Sequence, residues 1–181
     1  NYIEKSIYET NNFLNERNKT RLIEYASFFG STQIFKYLYK NGVKLTSKLW
    51  LYGIHSDNPE IIQLLEENNI EPPNKSYLNC IKESIKCHHN DITNYILSNL
   101  IKEDIENINN INFELEYNEN IYSYSFHYYN FSYFPTEMEH LIFFHYACKY
   151  DYIEIVEYFL RTKQIDIKKK IIYKLNSSNF K

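Results

Sequence analysis

One pattern recurs four times in this chain, and it limits the possible folds more than any other feature. A small residue is followed at +4 by a turn residue, at +7 and +8 by a polar residue and Ile, and at +11 and +12 by two large apolar residues. The copies are Ala26, Gly30, Gln33-Ile34, Tyr37-Leu38; Gly53, Asp57, Glu60-Ile61, Leu64-Leu65; Ser84, His88, Asp91-Ile92, Tyr95-Ile96; and Ala147, Asp151, Glu154-Ile155, Tyr158-Phe159. Six constrained positions that align four times mark a repeated structural unit.

Each position has a physical reason. Apolar residues precede the small one at helical spacing, as with Leu22, Ile23, Tyr25 and Ala26, or Phe143, Phe144, Tyr146 and Ala147, which predicts a first amphipathic helix. The small residue lets two helix backbones approach closely. The turn residue ends that helix: Gly30 tolerates positive φ, and Asp57 or Asp151 can bond nearby backbone amides. Pro59 suits the first turn of a following helix, where its missing N–H loses nothing. The second helix then carries Ile34, Phe35 and Leu38, or Ile61, Ile62, Leu64 and Leu65. A hairpin with two apolar faces cannot bury both alone, so the units are expected to stack.

The small residues are spaced by 27, 31 and 63 positions, so one unit between the third and fourth copies has lost its signature. The reading is all-α: a solenoid of about five helical hairpins in one continuous domain, residues 1–181. Regular repeats are expected near 21–48, 49–76, 77–104 and 138–167, with an irregular aromatic-rich unit over 105–137. That irregular unit is expected to hold a helix near 119–130 that ends before Pro135.

Local residues suggest a kind of solenoid. Phe144-His145-Tyr146-Ala147 is similar to the Leu-His-x-Ala start of an ankyrin helix. The stretch Asp151–Phe159 resembles the ankyrin second helix, and Ile165-Asp166-Ile167 resembles the apolar-Asp-apolar strand after it. Residues 21–100, with LIEYASFFGSTQIFKYLYKNGVKLT, LWLYGIHSDNPEIIQLLEENNIEP and IKESIKCHHNDITNYIL, resemble an ankyrin-associated domain of unknown function expanded in protist ankyrin proteins. The stretch around FHYYNFSYFP is similar to the insert that follows it. The resemblance covers most of the chain and implies protein binding; it brings no catalytic residues. It also implies β-hairpins between repeats, but the spacing of 27 leaves little room, so these hairpins are expected to be short or absent at Val43–Thr46 and Ile70–Pro73.

Composition closes off other classes. Hydrophobic residues make up 44% of the chain, too many for general disorder. No apolar run approaches the ~20 residues that span a bilayer, and Asn1–Lys5 contain no secretory apolar region. Three cysteines are too few and odd in number for a disulfide framework, so the expected setting is intracellular, in the cytoplasm. Net charge is −4 over residues 49–100 and −7 over 101–140, which argues against a nucleic-acid groove. The partner expected is a protein, bound by a monomeric chain, with no nucleic acid and no membrane involved. A second expectation, raised by the absent initiator Met, is a structural spacer or regulatory arm of a longer multi-repeat protein.

No catalytic, cofactor-binding or metal residues are expected. Cys80, Cys87, His88 and His89 form a sequence cluster, but zinc ligands usually pair at shorter spacing across a turn, and the two histidines fall on turn positions. His55, His127, His140 and His145 lack a nucleophile or paired carboxylate at recognisable spacing. Lys168-Lys169-Lys170 reads as a solvated terminus. The remaining candidates lie in the aromatic run 117–134: Tyr122, Tyr124, Tyr128, Tyr129 and Tyr133 are the expected protein-contact residues, since Tyr offers area plus a hydroxyl at low entropic cost. Core filling is the competing role for that run.

Overall fold

A computed structural model describes residues 2–4, 9–15, 19–101, 111–134 and 140–162. The structure is mostly helical. The chain groups into two compact units, Asn1–Ser132 and Tyr133–Lys181, and each is taken separately. The polar stretch 102–110, the expected strand Ile165–Ile167 and the lysine run 168–170 lie outside the described residues.

In the first unit a short helix α1 (Asn12–Asn15) precedes three helical hairpins. These are α2 (Leu22–Phe28) with α3 (Thr32–Lys40), α4 (Leu49–His55) with α5 (Pro59–Glu67), and α6 (Leu78–Lys86) with α7 (Asn90–Tyr95), which runs on into a π turn at Ile96–Leu100. A longer helix, α8 (Ile111–His127), follows. The helices α2, α4, α6 and α8 pack in series, each against the next. One antiparallel pairing, β1 (Tyr2–Ile3) with β2 (Thr20–Arg21), departs from the all-α expectation. The connections after α3 and α5 contain no strand; the second carries a short 3-10 turn at Pro73–Lys75.

Helix ends follow from local chemistry. Glu24 reaches back to accept the Arg21 backbone N–H at 2.8 Å, closing the start of α2. Asn58 Oδ1 accepts the Glu60 N–H at 3.0 Å, and Pro59 occupies the first turn of α5. At the far ends the repeat's logic becomes visible. The +4 residues Gly30, Asp57, His88 and Asp151 all have positive φ, between 50° and 63°. Beyond them the +5 amide returns to the carbonyl of the small residue: Ser31 to Ala26 at 2.8 Å, His89 to Ser84 at 2.9 Å, Tyr152 to Ala147 at 2.9 Å. This is the Schellman closure. In the second copy the Ser56 hydroxyl relays instead, donating to the Gly53 carbonyl at 2.6 Å and accepting the Asn58 N–H at 3.2 Å. Gly53 itself is required by close approach, since a Cβ there would lie 2.9 Å from Ile61 Cγ2.

The degenerate unit proves to hold the same closure. Ser125 is fully buried, Tyr129 at +4 has φ 58°, and the Asn130 amide bonds the Ser125 carbonyl at 2.9 Å. A 3-10 turn at Phe131–Tyr133 follows where other copies place a second helix.

A second hydrogen-bond series ties neighbouring hairpins together. Three +5 side chains reach a carbonyl near the end of the preceding first helix. Asn58 Nδ2 donates to Gly30 O at 3.1 Å, His89 Nδ1 to Ile54 O at 2.6 Å, and Asn130 Nδ2 to Ile85 O at 3.0 Å.

The interior follows the pattern with one correction. All the small residues are buried, and so are Leu38, Leu65, Ile96 and Phe159 at +12. The +11 position is not core: Tyr37, Tyr95 and Tyr158 are exposed, and so is Ile34 at +8 of the first copy. Adjacent residues on a helix are about 100° apart, so one of the pair turns outward, and Phe35 takes the inner place beside Leu38. Leu65→Ala and Leu38→Ala are each expected to cost about 2–5 kcal/mol, measured by urea denaturation. The Leu65 change should be the larger, because that residue is wholly buried while Leu38 retains 7% exposure.

The second unit contains a hairpin of α9 (His140–Lys149) and α10 (Ile153–Arg161). Its interior is aromatic: Phe143 meets Phe159 at 5.7 Å and Phe134 at 5.5 Å between ring centres, around the buried Ala147.

Candidate functional site: the first-helix face

In the first unit, one side of the helix row α2, α4, α6, α8 carries side chains that the hairpin interior does not use. Over α2 and α4 this side is covered by α1, whose Phe13 and Leu14 pack with Phe28 and Tyr52. Further along it carries His55 from α4, Lys82, Glu83, Lys86 and Cys87 from α6 and its cap, and Tyr124 and Tyr128 from α8 and the turn after it.

These residues are joined. Lys82 Nζ stands 5.5 Å from the centre of the Tyr124 ring, a cation–π contact. Tyr124 and Tyr128 pack at 5.6 Å, and His127 meets the Tyr128 ring edgewise at 4.6 Å. His88 Nε2 donates to the Tyr128 carbonyl at 2.9 Å. Tyr128 and Tyr129 therefore sit at the turn edge, and Tyr129 is 62% exposed.

The expected contact tyrosines divide by environment. Tyr122, Tyr124 and Tyr128 are half-buried and Tyr129 is exposed, all in the first unit; Tyr133 is half-buried and belongs to the second. The core-filling role falls to other members of the run: Tyr117, Ile121, Ser125 and Phe126 are buried. Their 117, 121, 125 spacing is one helix face, and Tyr117 is within 3.4 Å of Ser76 Oγ.

A polar cluster lies beside the tyrosines. His55 Nε2 donates to Glu83 Oε1 at 2.9 Å, and Cys87 Sγ approaches His55 Nδ1 at 3.6 Å. Lys86 Nζ also donates to Glu83 Oε1, at 3.0 Å. The His55 ring packs against Phe13, at 4.0 Å, and Phe28, at 5.1 Å, and those two rings stack on each other at 5.8 Å. Burial works to raise the Glu83 carboxyl, but the hydrogen bonds from His55 and Lys86 and their positive charge outweigh it, so the group ionises below the ordinary carboxylate range. Burial first, then the Glu83 charge, pushes the Cys87 thiol up to about 11.

The chain of thiol, imidazole and carboxylate has the connectivity of a nucleophilic triad, but its electrostatics oppose that use. A nucleophilic cysteine needs a lowered pKa, commonly at a helix N-terminus. Cys87 caps the carbonyl end of α6 and is raised.

The cysteine–histidine cluster considered from sequence does not assemble as such. Cys80 is wholly buried, its thiol pushed to about 12 by burial and the Glu83 charge. His88 and His89 are occupied at the turn edge by backbone carbonyls. Cys87 instead meets His55 and Glu83, 32 and 4 positions away. The i, i+4 pair Glu83–Cys87 was legible in the sequence; only the stacking of α4 on α6 brings in His55. His145 and Cys148 are exposed on α9, and nothing is described of the His140 side chain.

Comparisons with family models, with curated proteins and with solved structures return no match. Among the described residues no helix is long and apolar enough to cross a membrane.

Proposed function

We propose that this chain is a non-catalytic, ankyrin-like helical-hairpin solenoid that binds another protein, using the first-helix face and turn edge between α6 and α8. The observation that carries this reading is the repeated closure with its +5 ladder. Successive hairpins share one backbone frame, while the side chains outside that frame differ from copy to copy. Such a frame holds a variable surface rigidly. The surface itself combines Tyr124, Tyr128 and Tyr129 with Lys82 and Lys86, and tyrosine is among the residues enriched at binding hot spots.

Tyr129 gives a clean test, because it holds a strained left-handed backbone. Tyr129→Gly relieves that strain and is expected to raise stability by about 0.5–1 kcal/mol. Combined with Tyr124→Ala, it should abolish capture of the partners that the unaltered chain retains from lysate, with the thermal midpoint preserved. In the complex that the unaltered chain forms, hydrogen exchange should slow in α6 and α8. An unchanged set of captured proteins would place the binding surface elsewhere.

A further inference from the structure

We propose that His55, Glu83 and Cys87 bind a thiophilic divalent cation of the zinc class. One ring nitrogen, one carboxylate oxygen and the thiol sulfur of these residues all lie within 4.8 Å of one another. Among the described residues, this is the one group of three or more His, Cys, Asp or Glu side chains so arranged.

The donor set selects the metal. Nitrogen, sulfur and carboxylate oxygen together suit Zn2+, whereas Mg2+ and Ca2+ take oxygen. A tetrahedral zinc ion sets its ligands about 3.3–3.8 Å apart, so the trio needs only a small contraction. Side-chain rotation can supply it: Glu83 and Cys87 stand four apart on one face of α6, opposite His55 at the last turn of α4. His55 turns Nε2 to Glu83 Oε1 and Nδ1 to Cys87 Sγ, so binding exchanges the His55–Glu83 hydrogen bond for coordination through one ring nitrogen, while Lys86 still donates to Glu83. Phe13 and Phe28, which also stack on each other, both pack against the imidazole and hold His55 in place. The carbonyl end of α6 adds partial negative charge beside Cys87, which favours a cation.

Binding replaces the thiol proton with the metal, and that proton leaves to solvent. Three protein ligands leave a fourth position, the arrangement in which zinc retains a water or takes a donor from another molecule. The site lies on the first-helix face, within reach of a bound partner, but metal binding does not depend on the interaction proposed above.

The test is titration of the reduced full chain with Co2+ alone, then Zn2+. One equivalent of Co2+ should bind, give a thiolate-to-cobalt charge-transfer band, release a proton and be displaced by Zn2+. Cys87→Ser should abolish the band. Glu83→Gln, which keeps the shape of the side chain, should weaken binding by more than about tenfold, since losing even an outer partner of a ligand costs about 10–100-fold. Cys148→Ser should change neither. Absence of stoichiometric binding by the unaltered chain overturns the proposal, and so does a band that survives Cys87→Ser or is lost with Cys148→Ser. Far-ultraviolet circular dichroism of each variant separates loss of the site from loss of the fold.

Discussion

Trp50→Ala is expected to destabilise the first unit by about 3–5 kcal/mol, a large share of the roughly 5–15 kcal/mol that holds a domain together. Trp50 is the only tryptophan and is wholly buried in α4. Its indole N–H donates to the Ile70 carbonyl at 2.6 Å, and its ring meets Tyr77 edgewise at 5.2 Å. One side chain thus fixes both ends of the connection between the second and third hairpins. Truncation leaves a cavity and an unmet carbonyl together. Trp50→Phe keeps most of the packing and loses the hydrogen bond, so about 1–3 kcal/mol is expected there. Urea unfolding followed by circular dichroism reads both variants, since the fluorophore is removed. Equal losses for the two variants would mean that the hydrogen bond, not the packing, carries the effect.

Ala26→Arg is expected to be worse than any truncation, at more than about 5 kcal/mol, because overpacking and an unpaired buried charge coincide. Ala26 is 5% exposed in α2, the helix that packs on both α3 and α4. An arginine there must push helices apart or leave its guanidinium without water. The variant should show no cooperative thermal transition. Ala26→Ser supplies the control, because the chain itself places Ser at the same position in Ser84 and Ser125, both fully buried; about 1 kcal/mol or less is expected. A near-normal midpoint for the arginine variant would show that the small residue is not a contact point between helices.

Much of the helical framework was legible because helix ends are written in local chemistry. Gly30, Pro59 and the small residues announce themselves through steric need. What stayed hidden had two causes. The Ser125 closure was masked because Tyr129, a residue poorly suited to positive φ, occupies the place where Gly or Asp is the usual signal. Asn130 was the available clue, since Asn58 and His89 occupy +5 in earlier copies. The outward turn of Ile34 and Tyr37 was missed because an apolar pair cannot declare which member faces inward. The His55, Glu83 and Cys87 group depends on which helices neighbour one another, and a single sequence does not encode that directly.

The +5 ladder has a consequence for how such a chain can change its length. Each rung is measured from the small residue of its own unit, so it is indifferent to the number of residues between units. The anchors in fact stand 27, 31 and 41 positions apart from Ala26 through Gly53 and Ser84 to Ser125, with a rung formed at every step. Connections can therefore lengthen or shorten while the rung is kept, its acceptor being Gly30 at +4 across the shortest step and Ile54 and Ile85 at +1 across the longer two. A single residue added inside the four-residue turn would misplace the rung and both of its neighbours.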